Sequence, residues 1–178
     1  MGKTSLVFGI FSLLILCGCG EKDTSFLITE HSIGPLLSET AVADLEQVFV
    51  KDSIAKDTTK PESGKIKIYQ KNGKHLLTLT SSSDSIPTVE NIRIFDSRYK
   101  TDKGIGLHST FKDIQDNYPI KKIVTTINSI VIFPKESNLY FTIDKEELPS
   151  NLRYTSSKIE AVQIPPTAKI KYLMLAWE

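Results

Sequence analysis

Between residues 65 and 80 the chain alternates, turns and alternates again, and this pattern leaves little choice but an antiparallel sheet. Lys65-Ile66-Lys67-Ile68-Tyr69 sends apolar and polar side chains to opposite faces, as a half-buried strand does. Asn72-Gly73 follows and predicts a type I′ hairpin turn, in which both central residues take positive φ. Residues 76–80 then form the returning strand, and 89–95 another.

The same grammar recurs. Residues 26–33 read as a first strand, broken by Gly34-Pro35. Thr40 is a good N-cap for a helix over 41–50, where Val42, Leu45, Val48 and Phe49 share one face. Residues 52–61 are polar and read as an exposed connection. Gly104-Ile105-Gly106-Leu107 opens the second half, and Thr110 caps a short helix, with Asp113 completing a capping box. Phe111, Ile114 and Tyr118 share a face of that helix, and Pro119 ends it. Strands are expected over 122–127, 129–133, 139–143 and 169–177, with 145–166 irregular. The expected fold class is α+β: an antiparallel sheet with two short helices. Two similar strand–helix–strands halves and a single undivided sheet both fit the pattern.

Composition narrows the function. Beyond residue 18 the chain has 160 residues, enough for one domain, with 21 basic and 21 acidic side chains. That balance gives no electrostatic footprint for nucleic acid. Both cysteines, Cys17 and Cys19, lie near the N-terminus. The domain over 26–178 therefore has no disulfide, no cysteine zinc site and no thiol nucleophile.

The first 18 residues have the parts of an export signal: Lys3, an apolar run of eleven residues over 6–16, and the small Gly18. The run is shorter than the roughly 20 residues that span a bilayer. Leu16-Cys17-Gly18-Cys19 resembles the lipid-attachment box of bacterial lipoproteins, and it fits Cys19 better than Cys17, which follows the bulky Leu16. The resemblance implies cleavage after Gly18, a diacylglycerol thioether on Cys19 and a further acyl chain such as palmitate on its amino group. Two or three chains hold a protein stably on a membrane. Gly20 after the cysteine implies outer-membrane sorting on the periplasmic face, while Glu21 and Asp23 keep the cell surface as the alternative. Residues 19–25 form the lipidated N-terminus and tether, which reaches about 20 Å fully extended.

The strand–Gly–Thr-capped-helix–strands unit is similar to one in small envelope lipoproteins of the SmpA/BamE type. A resemblance covering more of the chain lies in Thr88-Val89-Glu90-Asn91-Ile92-Arg93-Ile94-Phe95-Asp96-Ser97, then Thr101-Asp102-Lys103-Gly104-Ile105-Gly106, Thr110-Phe111 and Asp113. These segments resemble the YfeY-like lipoproteins, a sigma-E-regulated envelope family with a domain of unknown function. The closing Lys169-Ile170-Lys171-Tyr172-Leu173 resembles that family's final strand and Ile28-Thr29 its opening. The match runs loosely over 26–178, departs at 145–166 and lacks the family's mature cysteines. It carries over no catalytic residue.

Few residues suggest chemistry. His31, His75 and His108 have no partner at metal-ligand spacing, and His75, just past the turn, reads as solvated. His31 and His108 flank the two glycine turns as polar edge residues. Asp113 is a cap; Asp44 and Asp116 are helix-surface carboxylates. Asp52-Ser53 and Asp96-Ser97 read as turn formers, since no Gly-x-Ser-x-Gly elbow accompanies them. Gly104-Ile105-Gly106 lacks the rest of a phosphate loop, and Ser81-Ser82-Ser83 reads as a flexible tip. Tyr99, Tyr140, Tyr154 and Trp177 divide between core and binding surface. No catalytic, cofactor or metal site is expected. The expected function is a lipid-anchored, non-catalytic binding or accessory module at the outer membrane. Its expected partners are the membrane, through lipid on Cys19, and another envelope protein. The alternative is a hydrolase of an envelope polymer, peptidoglycan or glycan, which needs paired carboxylates in one cleft.

Overall fold

Three two-residue strands, β1 (Leu27–Ile28), β2 (Ser32–Ile33) and β3 (Leu36–Leu37), lead into a single α-helical turn, α1 (Leu45–Val48). Then come β4 (Asp52–Lys56), β5 (Lys65–Gln70), β6 (His75–Ser81) and β7 (Val89–Ile94). After β8 (Lys100–Thr101), the helix α2 (Phe111–Asn117) precedes β9 (Ile120–Thr125), β10 (Ser129–Pro134), β11 (Leu139–Asp144) and β12 (Ile170–Ala176). The computed structural model describes residues 23–56 and 64–177. The expected signal peptide, Cys17, Cys19 and the first part of the tether lie outside the described residues, as does part of the 52–61 connection.

The expected α+β class is corrected by these elements, because the described residues are mostly β. Strands β1 to β3 and β8 make a small sheet in the order β3-β2-β1-β8, with β1 and β8 parallel. The other eight form one antiparallel sheet in the order β4-β5-β6-β7-β12-β11-β10-β9. Each four-stranded meander follows a helical segment, and the two meanders join where β7 pairs β12. The strand order is therefore the same from either edge.

One row of side chains accounts for the core. Ile54, Ile68, Leu77, Ile94, Leu173, Phe141, Ile132 and Ile123 pair successively across all eight strands. Six of them, from Ile68 to Ile132, are at most 2% exposed. Their period of two along each strand sends them all to one face. Ile28, Ile33 and Leu36 of the small sheet join the same cluster, together with Leu45, Phe49, Phe111 and Ile114 of the helical segments and Leu148, Ile159 and Ile164 of the 145–166 segment.

The second helix has the expected start: Thr110 Oγ1 accepts from the Asp113 amide at 3.3 Å, and the Asp113 carboxylate accepts from the Thr110 amide at 2.7 Å. The first does not. Thr40 caps nothing; its hydroxyl accepts from the Leu37 amide. Ala41 bridges Thr88, and the Val42 amide donates to the Pro87 carbonyl, so the chain is drawn to the segment that leads into β7 where the helix would begin. A 3-10 turn (Val42–Asp44) and one α turn are all that form. Residues 52–56 pair with β5 as a strand, so the connection expected there is shorter. The hairpin turn also differs from the type I′ expectation. Gly73 has φ +85°, Asn72 is not among the positive-φ residues, and Gln70 and Lys74 pair across three residues. This is the three-residue loop with glycine at the left-handed position.

Gly34 has φ +54°, and a Cβ there would lie 2.5 Å from the Ser25 carbonyl oxygen. Gly34→Ala should cost about 2 kcal/mol in chemical denaturation, from the left-handed backbone and the displaced first strand. An unchanged midpoint would contradict this packing.

Candidate functional site

The row next to the core row points the other way. Ala55, Lys67, Thr78, Arg93, Met174 and Tyr140 pair in sequence across β4, β5, β6, β7, β12 and β11. The Tyr140 ring stacks on Phe133 at 5.7 Å, and Phe133 pairs Lys122, which completes the row across eight strands. A one-residue step along each strand thus converts an apolar row into one that carries three cations, Lys67, Arg93 and Lys122, and two aromatics, Tyr140 and Phe133. This face lies opposite the small sheet and the helices.

Arg93 sits at its centre. Its guanidinium lies 3.8 Å from the Tyr172 ring centroid and 4.8 Å from that of Phe95. Phe95 stacks on His75 at 3.9 Å, and His75 on Tyr69 at 4.7 Å. Five side chains from four strands therefore form one stack. Each cation–π contact is worth about 1 kcal/mol where partly desolvated. Further along, Lys122 Nζ covers Phe133 at 4.5 Å, and Asn91 Nδ2 donates to the Tyr140 hydroxyl at 2.7 Å.

His75 is consequently half-buried, where the sequence suggested solvation. Burial pushes its pKa down, the Leu77 carbonyl opposes this, and the charges of Lys67 and Arg93 add to the lowering. This favours the neutral ring, and its Nε2 lies 3.0 Å from Thr78 Oγ1. The Arg93 side chain makes no hydrogen bond or ion pair among the described residues, and its enclosed Nε has no partner. Lys65, Lys67, Thr78, Thr80, Asn91 and Arg93 line a concavity of about 450 Å³ beside the stack, with His75, Phe95 and Met174 as its remaining wall.

The other flagged residues have structural duties. Asp96, wholly buried, accepts from Arg98 Nε at 3.0 Å and Nη2 at 2.6 Å, and from Lys74 at 3.1 Å. Arg98 in turn covers Phe26 at 4.0 Å. Asp52 and Arg98 line a cleft of about 690 Å³ with Phe26, Phe49 and Tyr99. Burial pushes the Asp52 carboxyl and the Tyr99 hydroxyl upward in pKa. Asp96 does not line that cleft, where Asp52 is the one carboxylate among the described residues. His31 lines a separate cleft of about 520 Å³ together with the carboxylates Glu30, Asp102 and Glu136, and His108 does not. Asp116 pairs with Lys112 on the surface. Of the four flagged aromatics, Tyr99 and Trp177 are core, Tyr154 is 95% exposed, and Tyr140 belongs to the open face. Among the described residues no three His, Asp or Glu cluster to hold a metal, and no helix is long and apolar enough to cross a membrane.

Sequence reasoning missed Arg93, Phe95, Tyr172 and Phe133 as a set. Their only signal was polar-side alternation within strands; their juxtaposition needs the register of β7 with β12. No protein-family model and no curated protein matches the chain. Among solved structures, it is similar to the uncharacterized protein yfeY from Escherichia coli, with 13% identity over 83% of this chain and 97% of that one, at a TM-score of 0.45.

Proposed function

We infer that this chain is a lipid-anchored, non-catalytic binding module of the bacterial outer membrane, with the open sheet face as its recognition surface. The observation that carries the reading is the row of cations and aromatics crossing the sheet beside its core. Aromatic and arginine side chains dominate binding hot spots. Here they are already fixed by stacking, so little side-chain entropy remains to be lost when a partner docks. The short tether after Cys19 holds the domain close to the membrane. The resemblance to YfeY-like lipoproteins, with expression under envelope-stress control, belongs to the same reading.

Two measurements test it. Cys19→Ala should abolish metabolic lipid labelling and release the protein from the membrane fraction; unchanged labelling would remove the anchor. A photo-crosslinking residue at Phe133 should capture a specific envelope component in cells, while one at the exposed Val162 should not. Equal capture from both positions would remove the face.

A further inference from the structure

The donors around the 450 Å³ concavity form a grid. Lys67, Thr78 and Arg93 pair across β5, β6 and β7, and Lys65, Thr80 and Asn91 pair across the same strands two residues along. Adjacent positions are about 5 Å apart across strands and about 7 Å apart along them. Among the described residues no carboxylate lines the concavity. Asn91 is engaged by Tyr140 and Thr78 by His75, which leaves Lys65, Lys67, Thr80 and Arg93 as its free donors among the described residues.

Resting on the reading of this face as a binding surface, we propose that the concavity binds a phosphate group carried on a small organic body. Three cations line it without a counter-charge among the described residues, and an oxyanion relieves their mutual repulsion. Phosphate fits better than carboxylate, since it offers three acceptor oxygens and up to two charges. The Arg93 guanidinium lies over the Phe95 and Tyr172 rings, which supply no acceptor for its N–H groups, so those donors remain for the anion. The volume lies in the range of small-ligand sites and exceeds what a bare phosphate fills. Phe95, His75 and Met174 form the wall against which the attached body packs.

The phosphate has two sources, a soluble metabolite or a lipid headgroup. Calorimetric titration of the full chain in detergent would use glycerol 1-phosphate for the first and monomeric dihexanoyl phosphatidic acid, likewise a phosphate monoester, for the second, with glycerol as the phosphate-free control. At least one phosphate probe should bind and glycerol should not, the tighter probe naming the source. Arg93→Gln should weaken that binding on the order of tenfold or more, as loss of a charge-assisted hydrogen bond does. Lys67→Gln, at a position without packing duties in the stack, should weaken it by a smaller factor at an unchanged melting temperature. Absence of binding by both probes, or affinity unaltered in both variants, would overturn the proposal. Specific crosslinking from Phe133 surviving such a result would locate the failure in the phosphate assignment; its loss as well would locate it in the face.

Discussion

Replacing Phe141 with alanine is expected to lower the unfolding free energy by about 4 kcal/mol. Phe141 is fully buried and stands in the core row of β11, between Leu173 of β12 and Ile132 of β10. Its ring also meets that of Tyr118, just past α2, at 6.0 Å. Truncation therefore removes contacts from the sheet and from the helical layer at once, and the β-sheet around it cannot collapse to fill the space. The domain has no disulfide to limit the unfolded chain. Urea denaturation followed by far-UV circular dichroism and by Trp177 fluorescence should show the two probes shifting together. Trp177 is buried and donates to the Glu30 carbonyl at 2.8 Å, which ties the end of β12 to the turn between β1 and β2. A large shift in one probe alone would mean that the two sheets do not share one core.

How far the sequence could be read follows from which interactions are local. The β5–β6 hairpin was legible because Ile66 and Ile68 alternate with lysines and a glycine marks the turn. The α2 start was legible because Thr110 and Asp113 satisfy each other's backbone within one turn. The helix expected over 41–50 was lost to a distant competitor, the Thr88 and Pro87 backbone that takes the Ala41 and Val42 groups. Strand β4 was hidden because an edge strand carries polar residues such as Asp52, Ser53 and Lys56. The binding face was hidden more deeply. Arg93 looks like one polar residue in an alternating strand, and only the pairing of β7 with β12 brings it to Met174 and beside Tyr172. Asp96 was read as a turn former, and it is one: its carboxylate accepts from the Arg98 amide at 2.9 Å. Its burial, and the arrival of Lys74 from the hairpin loop, were not legible.

That ion triad gives the second large effect. Asp96→Asn should lower stability at pH 7 by about 2 kcal/mol. Burial alone would raise the Asp96 pKa, but hydrogen bonds from the Arg98 side chain and backbone and from Lys74 outweigh it and bring it from 3.8 to about 2. A shift of that size corresponds to roughly 2 to 2.5 kcal/mol. The lower end is the better expectation, because Arg98 and Lys74 are 39% and 49% exposed and water screens their charges. Since the folded pKa is depressed, the contribution is fully present above the unfolded value near 3.8. It is lost as pH falls through about 2. The stability gap between the native chain and Asp96→Asn should therefore be constant from pH 7 to about 5, then close between pH 4 and 2. Denaturation curves at matched ionic strength measure it directly. A gap that stays constant down to pH 2 would show that the variant acts through lost packing or hydrogen bonding, and that the carboxylate charge does not hold the Arg98–Lys74 corner in place. Closure of the gap, with Arg98→Gln and Asp96→Asn non-additive at pH 7, would assign the stabilisation to the charged pair itself.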